Sequence, residues 1–88
     1  MCHITISIYF FASSREYVGT NQSTIKLSKS ITANKIRKEV VEQFPTLEKL
    51  NNCFVLSLNE EYIESDSQEL LNLKRSDTLA VIPPLSGG

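Results

Sequence analysis

Two glycines at the end of the chain, Gly87 and Gly88, are the residues whose chemistry is easiest to name. Neither carries a Cβ, so the terminal carbonyl is unshielded and the backbone can take dihedrals closed to other residues while threading a narrow channel. The terminal carboxyl, with an ordinary pKa of about 3.3–3.7, is ionised at neutral pH and stays a poor electrophile until a nucleotide activates it. Such an end is a group to be carried and reacted, not a catalyst. Pro83 and Pro84 stand before Leu85, Ser86 and the glycines, and they stiffen the exit in an extended direction because proline fixes φ and restricts its predecessor. At about 3.3–3.6 Å per extended residue, residues 83–88 project roughly 20 Å, enough to enter a partner's active site while the rest docks outside. Ordering the glycines costs conformational entropy that partner binding must offset, which implies a docking surface on the domain beside the tail.

No other constellation competes. The single histidine, His3, falls on the polar side of an alternating segment with no nucleophile placed beside it by the sequence. Glu60, Glu61 and Asp66 read as solvated turn carboxylates, and Arg15-Glu16 as a surface pair, with Arg15 able to help bind a partner. Only Gly19 lies outside the tail, so there is no glycine loop to cradle a phosphate, and no nucleotide or other cofactor is expected on the domain. Cys2 and Cys53 share no close spacing and cannot hold a four-thiolate cluster or zinc site; they read as a free thiol and a small core or strand residue, with a disulfide between them as the alternative. Nine Lys and Arg, scattered along the chain, balance ten Asp and Glu, which excludes the basic footprint of a nucleic-acid binder. No stretch approaches the roughly 20 apolar residues that cross a bilayer, and the expected location is the cytosol.

The elements that must hold this tail are marked clearly. From Cys2 to Phe11, Ile4, Ile6, Ile8 and Phe10 alternate with His3, Thr5, Ser7, Tyr9 and Phe11, the period of a half-buried strand. Residues 12–18 allow one helical turn, Gly19 breaks it, and residues 23–27 form a second alternating strand. Thr32 is placed to cap a helix, with Ile31 and Ile36 as its hydrophobic staple. Ala33, Ile36, Val40 and Phe44 then recur at spacings of three and four until Pro45 ends the helix. A polar connection over 46–52 leads to a third strand through Phe54, Leu56 and Leu58, a turn at 59–61, a brief edge strand at Tyr62-Ile63, and a last strand over 78–82. Leu70, Leu71 and Leu73 return to apolar character between them. This order predicts an α+β domain over residues 1–82, a β-grasp fold with one main helix packed across a mixed sheet, followed by a flexible reactive tail over 83–88. Ile6, Ile8, Ile36, Val40, Leu56 and Leu79 are the expected core.

The segment from Ile8 to Thr20, with Phe11-Ala12, Arg15-Glu16 and Gly19-Thr20, together with Pro83-Pro84 and the Gly87-Gly88 end, resembles the small subunits of molybdopterin synthase. These are MoaD-like sulfur carriers with a ubiquitin-like β-grasp fold. Leu58-Asn59 and Thr32 fit the same pattern, whereas Ser76-Asp77 stands where relatives usually have Gly-Asp, and Val81-Ile82 where some carry two aromatics. The resemblance implies that an E1-like activating enzyme adenylates the Gly88 carboxylate with ATP, and that sulfur from a persulfide donor replaces AMP to give a thiocarboxylate. The tail then enters the large synthase subunit, in a heterotetramer of two small and two large subunits. There the sulfur passes to cyclic pyranopterin monophosphate, precursor Z. Alone, the chain is expected to have no activity. Carriers serving thiazole or transfer-RNA thiolation, ubiquitin-like modifiers joined to lysines through Gly88, and a non-reactive interaction module are the alternative readings.

Overall fold

Alternation in the first strand sets the architecture. β1 spans His3–Phe10. In the computed structural model, which describes residues 2–50, 54–64 and 68–83, its Ile6, Ile8 and Phe10 are buried and Ile4 packs against the same core. The elements that follow are α1 (Ser13–Val18), β2 (Gln22–Ser28), β3 (Ser30–Thr32), α2 (Ala33–Gln43), a 3-10 helix (Pro45–Leu50), β4 (Val55–Leu58), β5 (Glu61–Ile63), β6 (Leu70–Asn72) and β7 (Thr78–Ile82). Five strands form one sheet in the order β2-β1-β7-β4-β5. β1 and β7 are parallel, with Ser7 opposite Thr78 and Phe10 opposite Val81, and the remaining pairs are antiparallel. The sheet is therefore mixed, as the α+β reading requires.

α2 crosses one face of this sheet. Thr32 caps it, its side-chain oxygen accepting from the Lys35 N–H at 3.3 Å, and the buried Ile31 and Ile36 lie at the staple positions. Ala33, Ile36 and Val40 are its buried stripe. Phe44 ends the helix with φ −129° and ψ 73°, outside the helical region as a residue before proline must be. Its ring meets Phe10 edge-on at 5.0 Å between centroids, a favoured aromatic geometry. Each of the six residues expected in the core is buried, and burying side chains of this size contributes about 1.5–3 kcal/mol apiece.

Two features differ from expectation. β3 and β6 pair antiparallel, Ile31 opposite Leu71, as a separate two-stranded sheet. Strands of three residues are too short to show a period, and their partners lie some forty residues apart. The connection read as polar contains Leu47, which is fully buried because the 3-10 helix turns its side chain inward. Among the described residues no helix is long and apolar enough to cross a membrane. Cys2 is exposed. Cys53 and Asp66 lie outside the described residues, as do Pro84, Leu85, Ser86, Gly87 and Gly88.

Candidate functional site

The structure locates the root of the tail. β7 leaves the sheet between β1 and β4, so the strand carrying the tail is held on both sides. Val55 of β4 pairs with Ile82, the last strand residue, and Pro83 behind it is buried. On the β1 side the ladder continues one residue past the strand, with the Phe11 N–H donating to the Val81 carbonyl at 3.2 Å. Ser14 braces this corner. Its side chain is fully buried, and its hydroxyl donates to the Phe11 carbonyl at 2.6 Å and lies 3.4 Å from the Val81 carbonyl. Between them Ala12 has φ 51° and ψ −132°, a conformation that favours glycine. Gly19 closes α1 at φ 91°, its N–H donating to the Arg15 carbonyl at 2.9 Å. The motif from Phe11 to Gly19 thus folds into a bracket against the end of β7.

The sheet face opposite α2 adjoins that root. Pairing places Tyr9, Ala80, Ser57 and Tyr62 in one row across β1, β7, β4 and β5. Val55 and Ile82 lie in the next row toward the tail. Because Ala80 is small and both ends of its row are tyrosines, the face is concave. An open depression of about 650 Å³ is lined by Tyr9, Phe11, Ala80, Ile82, Tyr62 and their neighbours. Phe11 is 51% exposed, Val55 42% and Tyr62 74%. Exposed apolar side chains with an aromatic rim are the kind of surface on which proteins associate.

At the far end of the depression Asn59 and Asp77 fasten the β4–β5 turn to the loop before β7. Asn59 Nδ2 donates to Asp77 Oδ1 at 2.9 Å, and Asn59 Oδ1 accepts from the Thr78 N–H at 2.9 Å. The Lys74 N–H donates to Asp77 Oδ2 at 2.8 Å. The bond from Asn59, then that from Lys74, holds the Asp77 carboxyl below the usual carboxylate range. Ser76 adopts no positive φ, since the described non-glycine residues that do are Ala12, Asn59 and Glu60. The turn therefore makes no demand for glycine before Asp77.

Of the other sequence candidates, His3 stands farthest from the root. His3 opens β1, which runs parallel to β7, so it lies roughly 20 Å from the level of Val81. Glu60 and Glu61 are exposed in and beside the turn, and Arg15 and Glu16 are exposed on α1. Among the described residues no group of three or more His, Cys, Asp or Glu is placed to hold a metal. Sequence reasoning missed Ser14, the Asn59–Asp77 link and the sheet face. The signal for the face was present in Tyr9 and Phe11, large aromatics on the solvent side of β1.

A profile of the ThiS family matches residues 8–88. The chain belongs to the ThiS family. Within it, the molybdopterin synthase sulfur carrier subunit of Arabidopsis thaliana is 39% identical over 85 residues, which cover 97% of this chain and 84% of that one. The ThiS-family fold is shared with the crystal structure of SAMP1 from Haloferax volcanii, at a TM-score of 0.73 and 21% identity, covering 96% of this chain and 99% of that one. A solved complex of subunits 1 and 2 of the molybdopterin-converting factor of Helicobacter pylori contains a similar chain, at a TM-score of 0.61 and 18% identity, with 96% and 99% covered. At such identities the structural likenesses bear on the fold. The sequence relative bears on the branch of the ThiS family.

Proposed function

We propose that this chain is the sulfur carrier subunit of a molybdopterin synthase. The observation that carries the reading is the 39% identity across 97% of the chain to a subunit of that name. In this reading the Gly88 carboxylate attacks the α-phosphorus of ATP on an E1-like activating enzyme, releasing pyrophosphate and leaving an acyl adenylate. A persulfide sulfur then attacks the carbonyl carbon and AMP leaves, giving an acyl disulfide. A second cysteine thiolate of the activating enzyme attacks the enzyme-side sulfur, so that a disulfide forms on the enzyme and Gly88 leaves as a thiocarboxylate. Gly87 and Gly88 fit a narrow channel, and Pro83, Pro84, Leu85 and Ser86 are the leash that partners grip. The exposed face around Phe11, Val55 and Tyr62 is where the large synthase subunit and the activating enzyme dock, in the cytosol. The complex is a heterotetramer of two small and two large subunits, and its large subunit supplies the catalytic groups for sulfur transfer to cyclic pyranopterin monophosphate.

Intact mass after incubation with ATP, an activating enzyme and a sulfur donor tests the first half. The expected gain is that of one oxygen replaced by sulfur, and an unchanged mass with a demonstrably active enzyme would sink the carrier role. Mixing loaded protein with the large subunit and precursor tests the second half, the expected product being molybdopterin. Deleting Gly88, or adding one residue after it, is expected to abolish transfer while leaving the circular dichroism spectrum and melting temperature unchanged. Retained transfer by either variant contradicts the mechanism.

A further inference from the structure

β2 is one edge of the five-stranded sheet, and an edge presents backbone groups that can template another strand. The Phe10 N–H donates to the Asn21 carbonyl at 3.0 Å, and the Lys29 N–H to the Cys2 carbonyl at 3.0 Å. Residues of that parity face β1, so the N–H and C=O groups of Gln22, Thr24, Lys26 and Ser28 face away from the sheet. At Lys26 this outward pair is already taken. Gln43, the last residue of α2, accepts from the Lys26 N–H through Oε1 at 3.3 Å and donates from Nε2 to the Lys26 carbonyl at 2.8 Å. These are the two bonds that a residue of a neighbouring strand would make. Glu39, one helical turn back, accepts from the same Nε2 at 3.3 Å and lies 3.9 Å from the Lys35 ammonium. A reversed amide would set donor against donor at the Lys26 N–H and oxygen against two acceptors, so the surroundings fix its orientation.

We propose that Gln43 is an edge guard, whose amide occupies the strand-pairing position at Lys26 and keeps β2 from pairing with β2 of a second copy of this chain. A second copy fits because the edge is self-complementary. Antiparallel pairing about a two-fold axis at Ile25 sets Gln22 opposite Ser28 and Thr24 opposite Lys26, then the reverse, so each outward residue gains its bonds. The two Lys26 ammonium groups would not face each other, which removes the like-charge penalty of a directly opposed pair. The guard acts at the β2 edge, whereas the tail root is on the central strand β7, and the proposal stands whatever the tail carries.

Gln43→Ala removes both bonds at an exposed position where alanine favours the helix. Amide hydrogen exchange at low concentration is expected to show the Lys26 N–H exchanging about tenfold faster than in the wild type, with Ile25 and Leu27 unchanged. Sedimentation velocity over a concentration series is expected to show this variant dimerising at about one-tenth of the concentration the wild type needs. Adding Thr24→Pro, which removes an outward N–H from the edge, restores the monomer. Gln43→Glu keeps the acceptor for Lys26 and loses the donor, and its exchange rate is expected to fall between the two, which provides a second reading should the alanine variant misfold. Unchanged exchange at Lys26, a Gln43→Ala protein no more associated than the wild type, or a dimer that Thr24→Pro leaves intact would each overturn the proposal.

Discussion

Asp77 shows how much one side chain does for the frame of the site. It is the buried carboxylate among the described residues, and both oxygens have donors, Asn59 on one and the Lys74 N–H on the other. Because those bonds depress its folded pKa, the stability they give is present above the unfolded value of about 3.9 and is lost as pH falls through the folded one. Asp77→Ala is expected to lower stability at pH 7 by about 1–3 kcal/mol. In urea titrations it should also lose less stability than the wild type as pH is lowered below about 4. An acid dependence equal to that of the wild type would assign the effect to other carboxylates. Little of this was legible beforehand. An aspartate in a polar stretch reads as surface, and Ser14 likewise, because burial of such groups depends on partners that only the folded chain supplies: Asn59 for the one, the carbonyls of Phe11 and Val81 for the other.

Among the elements, the β4–β5 hairpin departs most from its local preference. Its two turn residues, Asn59 and Glu60, have φ of 53° and 69°, the left-handed pair of a type I′ turn, which Asn-Gly suits best. Glu60→Gly is expected to raise stability by about 1 kcal/mol, read as a higher urea midpoint at unchanged slope, because a Cβ in that region is penalised. Elements with a long period were readable from the sequence: β1 from its four alternating apolar residues, α2 from its stripe, its Thr32 cap and the proline that ends it. Elements that owe their existence to a distant partner were not. β3 and β6 are three residues each and pair, Ile31 opposite Leu71, with α2, the 3-10 helix, β4 and β5 between them in the chain. Leu47 gave no periodic signal because a 3-10 helix of six residues is too short to repeat a pattern, and its immediate neighbours, Thr46 and Glu48, are polar.

At the scale of the molecule, the carrier reading divides labour between a reacting end and a face that chooses partners. The carrier role was read from the residue types of the end. A docking surface beside it was implied, but not its residues, because they come from four strands far apart in the sequence. Phe11→Asp, at a position half exposed to solvent, is expected to leave the melting temperature within a few degrees and to weaken binding to the large subunit by about tenfold or more, measured by calorimetry. Undiminished affinity would move the docking site elsewhere. The parallel pairing of β1 with β7 has a practical corollary. Cys2 is exposed beside the start of β1, at the pole of the sheet away from Pro83. A dye or bead attached there, in a Cys53→Ser background, would hold the protein by the opposite pole and leave the tail root clear of the support, so that the carrier reading could be followed on immobilised enzymes.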